Sequence, residues 1–139
     1  MNESSSEVRP EERISRYILN GRYFKEEAGE IKAEAFLPTK PKPELQERQT
    51  SVYRTSDLEE TNIWSIGDQH VANPEAKRFI LARGDLPAKN VFSQDLRIVP
   101  HPFPHPRHAN IVNWPNEESN EHRKAIAILL AKEARLIVK

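Results

Sequence analysis

A chain of 139 residues suits one domain of roughly 100–200 residues, and its 21 basic side chains balance 21 acidic ones to a net charge of zero. That balance removes the long-range field that draws a protein to nucleic acid, a membrane or an acidic substrate, and leaves only local patches. No cysteine is present, which excludes disulfides, thiolate nucleophiles and cysteine-bound zinc and suits a reducing compartment.

No apolar run approaches the roughly 18–20 residues that span a bilayer, and "MNESSSEVRPEE" lacks the basic-then-apolar order of a signal peptide. The expectation is a cytoplasmic protein with no membrane partner. Residues 1–12 hold only Met1 and Val8 as large apolar side chains, too few to offset about 1–2 kcal/mol of ordering entropy per residue, and read as a disordered tail before a domain over 13–139. "RISRYILNGRYF" places Ile14, Tyr17, Ile18 and Leu19 at helical spacing and ends on Asn20-Gly21, a turn pair, so a short helix or turn-rich segment is expected.

"EIKAEAFLP" alternates Ile31, Ala33, Ala35 and Leu37 with Lys32, Glu34 and Phe36, predicting a strand stopped by Pro38. Pro38, Pro41 and Pro43, interleaved with lysines, make "PTKPKPELQERQ" an extended loop. "TSVYRT" is β-branched and aromatic and reads as a second strand. "SDLEETNIWSIGDQHVA" opens with a capping-box pattern, Ser56 with Glu59, and predicts a helix burying Ile63 and Ile66, with Gly67 ending it or sitting inside it.

"KRFILARGD" offers Phe79, Ile80 and Leu81 as a buried third strand broken by Gly84, and Pro87 suits the first turn of a short helix over "PAKNVFSQ". "LRIVP" and "HANIVNW" supply the fourth and fifth strands. From "EESNEHRKAIAILLAKEARLIVK" an amphipathic C-terminal helix is expected, with Ile126, Leu129 and Leu130 on its apolar face, acids early and bases late. Five short strands and three to four helices without a regular βαβ repeat point to a single small α+β domain, its terminal helix packed on the sheet.

Chemistry concentrates in "HPFPHPRHANIVNWP", residues 101–115. His101, His105 and His108 fall within eight residues, but Pro102, Pro104 and Pro106 forbid the helix that would align them for zinc. In an extended polyproline-like chain His105 and His108 sit about 9 Å apart. A single ion with bonds of about 2.0–2.1 Å needs a sharp turn to reach both. His101 and His105 are therefore weak metal candidates, and no cofactor is implied. His108, flanked by Arg107 and Asn110, is the candidate acid or base, because those neighbours suit a phosphate or carboxylate.

"RGDLP" adds Arg83 and Asp85. Asp85 either orients His108 or, more plainly, caps the following helix. Arg16, Arg22 and Tyr23, with Arg13, Tyr17 and Phe24, form a basic-aromatic segment able to hold phosphate and stack bases, diluted by Glu11, Glu12, Glu26 and Glu27. No glycine-rich phosphate loop, G-x-S-x-G elbow or H-E-x-x-H motif occurs.

"TSVYRTSDLEETNIWSIGDQHV", "ARGDLPAKNV", "PRHANIVNWP" and "NEHRKAIAILLAKEA", in that order, resemble small bacterial proteins carrying an R-H-A-x-I-x-x-W-P block before a terminal helix. The resemblance spans about residues 30–135. It implies a bacterial, cytoplasmic single domain and no particular reaction. Two functions follow as expectations. The first is a binding or accessory module contacting a protein or nucleic-acid partner through the His-Pro loop, the Pro-Lys loop or the basic-aromatic segment. The second is a small hydrolase or transferase for a phosphate-containing substrate, with His108 as acid or base, Asp85 as orienter and Arg83 or Arg107 on the anion.

Overall fold

Along Arg13–Ile18, side chains alternate between two buried faces, Ile14 and Ile18 on one and Ser15 and Tyr17 on the other. This segment is a central strand, β1, of the computed structural model, which describes residues 6–41, 47–116 and 119–139. The remaining strands are β2 (Phe24–Lys25), β3 (Glu30–Ile31), β4 (Thr50–Arg54), β5 (Ala82–Pro87), β6 (Arg97–Pro100), β7 (His108–Val112) and β8 (Arg135–Val138). The helices are α1 (Glu60–His70), α2 (Ala88–Phe92) and α3 (Glu121–Glu133). Six strands form one antiparallel sheet in the order β6-β7-β4-β1-β5-β8, and β2 pairs with β3 in a separate ribbon.

The fold is a single α+β domain. Against one face of the sheet, α2, α3 and the 3-10 turn Ala33–Ala35 bury the larger core around Ile14, Phe36, Val52, Leu86, Ile111 and Leu130. On the other face Ile63 and Ile66 of α1 pack over Tyr17, Tyr53 and Ile80. Among the described residues no helix is long and apolar enough to cross a membrane.

The strand count exceeds the expected five. The helical spacing at 14–19 is coincidental: β4 and β5 flank β1 and satisfy its backbone, and its polar side chains find partners inside the fold. The strand expected over 31–37 is confined to Glu30–Ile31 before the chain coils into the 3-10 turn. Residues 42–46 of the Pro-Lys loop lie outside the described residues. The strand expected at 79–81 starts later, at Ala82, leaving Phe79 and Leu81 exposed, and it runs through Gly84 rather than stopping there. α3 ends at Glu133, and "RLIV" is an edge strand on β5. The Ser56–Glu59 capping box does not form: α1 starts at Glu60 without a side-chain cap, and the Ser56 hydroxyl accepts from the Arg13 N–H.

Residues 6–12 are ordered against the domain, contrary to the expected tail; residues 1–5 lie outside the description. Val8 is buried in the larger core. The carbonyls of Pro10 and Glu12 accept from Lys89 and Ala88, and the Glu12 carboxylate takes two hydrogen bonds from Arg54 at 2.9 Å each. Burial pushes the Glu12 pKa up, but the Arg54 hydrogen bonds, the Arg9 N–H and the charges of Arg54 and Arg107 outweigh it, so the net shift is downward. A depressed carboxylate contributes stability above its unfolded value near 4.5, and that stability is lost as pH falls through the native value. Glu12→Gln is expected to destabilise the chain by about 1.5–3 kcal/mol at pH 7. The deficit should shrink towards pH 3 in urea titrations; a deficit constant with pH would contradict the ion pair's role.

Gly67 sits inside α1 because Tyr17 fills the space a side chain would need. A Cβ there would lie 2.8 Å from the Tyr17 ring, whose hydroxyl is anchored on the Ile63 carbonyl. Alanine ordinarily gains about 1 kcal/mol over glycine in a helix, whereas overpacking costs about 1–3 kcal/mol. Gly67→Ala is therefore expected to lower the melting temperature; a rise would show that Tyr17 yields freely.

Candidate functional site

Pairing register decides which side chains meet on the α1 side of the sheet. Ser15 faces Asp85 and Tyr53, and Tyr53 faces His108. One level along, Tyr17 faces Arg83 and Ser51 faces Asn110. Ser51 is thereby diagonal to His108, within side-chain reach across an antiparallel pair.

The Ser51 hydroxyl lies 2.5 Å from His108 Nε2. On the ring's other side, Nδ1 lies 2.9 Å from the His101 carbonyl oxygen, which only accepts. The proton therefore sits on Nδ1, leaving Nε2 as a bare acceptor for the Ser51 O–H. His108 is only 7% exposed. Burial pushes its pKa below the ordinary histidine value, with hydrogen bonds to the His101 and Phe103 carbonyls opposing and the His101 ring adding to the fall. Ser51 itself is half-buried. Asn110, 8% exposed, has no side-chain hydrogen bond among the described residues.

The 101–107 loop folds the His101 imidazole against His108. His101 Nδ1 stands 3.2 Å from His108 Nδ1 and 3.0 Å from the Phe103 carbonyl oxygen. His105 goes elsewhere: its Nδ1 accepts from the Arg107 N–H, and its ring packs on His70 and Tyr53. His105 and His108, expected on one side of an extended chain but about 9 Å apart, do not share a site, while His101 and His108 do, because the loop turns back on itself.

Asp85 is not the orienter of His108. β4 and β1 lie between their strands, a separation of about 14 Å at roughly 4.8 Å per strand. Nor does Asp85 cap a helix. It accepts from Arg83 and from the Ser15 hydroxyl inside the sheet. Arg83 is fully buried, bridging Asp85 and Glu60 with its guanidinium carbon 4.6 Å from the centre of the Trp64 ring. Among the described residues its Nη1 has no hydrogen-bond partner, and the Trp64 π-face supplies the compensating attraction. Arg83 is a structural ion, out of reach of a substrate at His108.

Arg107 directs Nη1 to the carbonyls of Arg54 and Ser56 and lines two open clefts of about 330 and 310 Å³. Arg16 is turned inward: its guanidinium donates to the carbonyls of Ala35 and Ser51, and burial lowers its pKa to about 10. Arg22 is exposed and Tyr23 packs against the core. Arg16, Arg22 and Tyr23 therefore present no joint surface to a nucleic acid. Arg16 instead fixes the backbone of Ser51 from the opposite face.

No family model, curated protein or solved structure matches this chain. The site thus stands on its geometry.

Within "RHANIVNWP", Arg107 braces the β4 end, His108 and Asn110 enter the site, and Ala109, Ile111 and Trp114 enter the core. Sequence reading missed Ser51, Tyr53 and His70. The available signal for Ser51 was strand alternation, which puts it on the same face as Tyr53; its pairing with β7 had no local trace.

Proposed function

We propose that the chain is a small hydrolase of uncharged carboxylic esters, with Ser51 as nucleophile and His108 as general base. The observation that carries this is the Ser51 Oγ to His108 Nε2 hydrogen bond with Nδ1 held by a carbonyl, a nucleophile, base and orienter in one line. In the reaction the Ser51 oxygen bonds to the ester carbonyl carbon as its proton passes to Nε2. The ester C–O bond then breaks, and the leaving alcohol takes that proton. Water, deprotonated by Nε2, next attacks the acyl-serine, releasing the carboxylic acid and restoring the Ser51 hydroxyl. Asn110, beside Ser51 with its amide uncommitted, is the donor for the oxyanion.

The charge pattern favours an ester over the phosphate first expected. Arg16, Arg83 and Arg107 all direct their guanidinium groups to protein carbonyls or carboxylates away from the Ser51 hydroxyl. The test is hydrolysis of p-nitrophenyl acetate against bis(p-nitrophenyl) phosphate. Faster acetate release than in His108→Ala supports the reading, and a native rate equal to that variant's overturns it. A second reading, a module that binds a protein partner, is supported by Phe103, 74% exposed on the loop above the site; it expects no hydrolysis of either compound.

A further inference from the structure

We propose that His101 and His108 form a site for a single nickel- or copper-class divalent ion, held through their Nδ1 atoms. The two Nδ1 atoms are 3.2 Å apart and share a hydrogen bond, and each also faces a carbonyl oxygen: His108 Nδ1 that of His101 at 2.9 Å and His101 Nδ1 that of Phe103 at 3.0 Å. Four Lewis-basic atoms therefore follow one another at 2.9, 3.2 and 3.0 Å. With metal–nitrogen bonds of about 2.0–2.1 Å, neighbouring ligands of a tetragonal site stand about 2.9 Å apart and those of a tetrahedral site about 3.3 Å. The two N–O spacings match the tetragonal N,O arrangement that selects Cu(II) or Ni(II), while the N–N spacing lies nearer the tetrahedral value. No three His, Asp or Glu side chains converge among the described residues, so the remaining ligands are the two carbonyl oxygens and water. His101 is exposed and gives the ion a way in.

Binding requires no net loss of protons. The His108 ring moves its proton from Nδ1 to Nε2, and both rings offer Nδ1 to the ion. At His108 that shift converts Nε2 from acceptor to donor towards Ser51. The consequence, which rests on the ester-hydrolase reading, is that the bound ion switches the general base off.

Calorimetric titration of the tag-free full chain with NiCl2 tests the site without reference to turnover. One ion per chain is expected, with affinity falling about tenfold or more in His101→Ala, while His122→Ala on α3 binds as the native chain does. Equal affinity in native and His101→Ala, with both folded by circular dichroism, overturns the site. Where acetate hydrolysis is measurable, saturating Ni(II) is expected to stop it in the native chain and in His122→Ala, and hydrolysis persisting at saturation overturns the switch. Ni(II) binding without any hydrolysis in the metal-free protein would sink the hydrolase reading and leave the metal site standing.

Discussion

Replacing Asp85 with alanine is expected to destabilise the domain by about 3–5 kcal/mol, the cost of leaving a buried charge without its partner. Arg83 is fully enclosed, and Asp85 is the buried one of its two carboxylate partners; Glu60 reaches it from a largely exposed position. The same substitution removes the acceptor of the Ser15 hydroxyl. Against a total of about 5–15 kcal/mol for a typical domain, the loss is a large fraction. In urea the midpoint should fall by about 2 M at a slope near 2 kcal/mol/M, with the slope unchanged. Replacing both residues, Arg83→Met with Asp85→Ala, is expected to recover part of that loss, because the unpaired charge is then gone. A double variant no more stable than Asp85→Ala alone would show that packing, not charge, dominates here.

The largest effect on activity is expected at Ser51 and His108. Positioned general acid–base catalysis contributes about 10²–10⁴-fold, so His108→Ala should lose at least that range in kcat. Ser51→Ala should lose as much, and the double variant no more than either, because nucleophile and base act as one unit. Asn110→Ala is expected to reduce kcat by about 10²–10³-fold, the usual cost of an oxyanion donor. Additive losses in the double variant would contradict a shared step. Urea midpoints measured on the same variants separate catalysis from folding. A Ser51→Ala chain with native stability and no burst of p-nitrophenol is the outcome that the nucleophile assignment requires.

Parts of this fold were legible from local pattern. "TSVYRT", "LRIVP" and "HANIVNW" are strands because β-branched and aromatic residues fit a pleated surface. α3 forms where Ile126 and Leu130 recur on one face. β1 was illegible for a definite reason. Its inward positions include Ser15 and Arg16, polar residues made tolerable inside by the Asp85 carboxylate, the Thr55 hydroxyl and the Ala35 and Ser51 carbonyls. β8 was hidden likewise, since "RLIV" continues a helical run and becomes a strand only beside β5.

His108 and Asn110 stood out in the sequence as candidates, yet their partners did not. Asp85 was the natural guess for His108, and sheet order places it two intervening strands away. Ser51 lies 57 positions before His108 and carries no motif.

By itself, then, the sequence determined composition class, the main strands and terminal helix, and the identity of the imidazole worth following, because these depend on side-chain chemistry and short-range periodicity. Tertiary structure alone decided that Ser51 meets His108, that His101 rather than His105 faces the same ring, and that Arg83 and Asp85 are an internal ion pair. Those outcomes depend on strand order and register, where a shift of one residue turns every side chain to the opposite face.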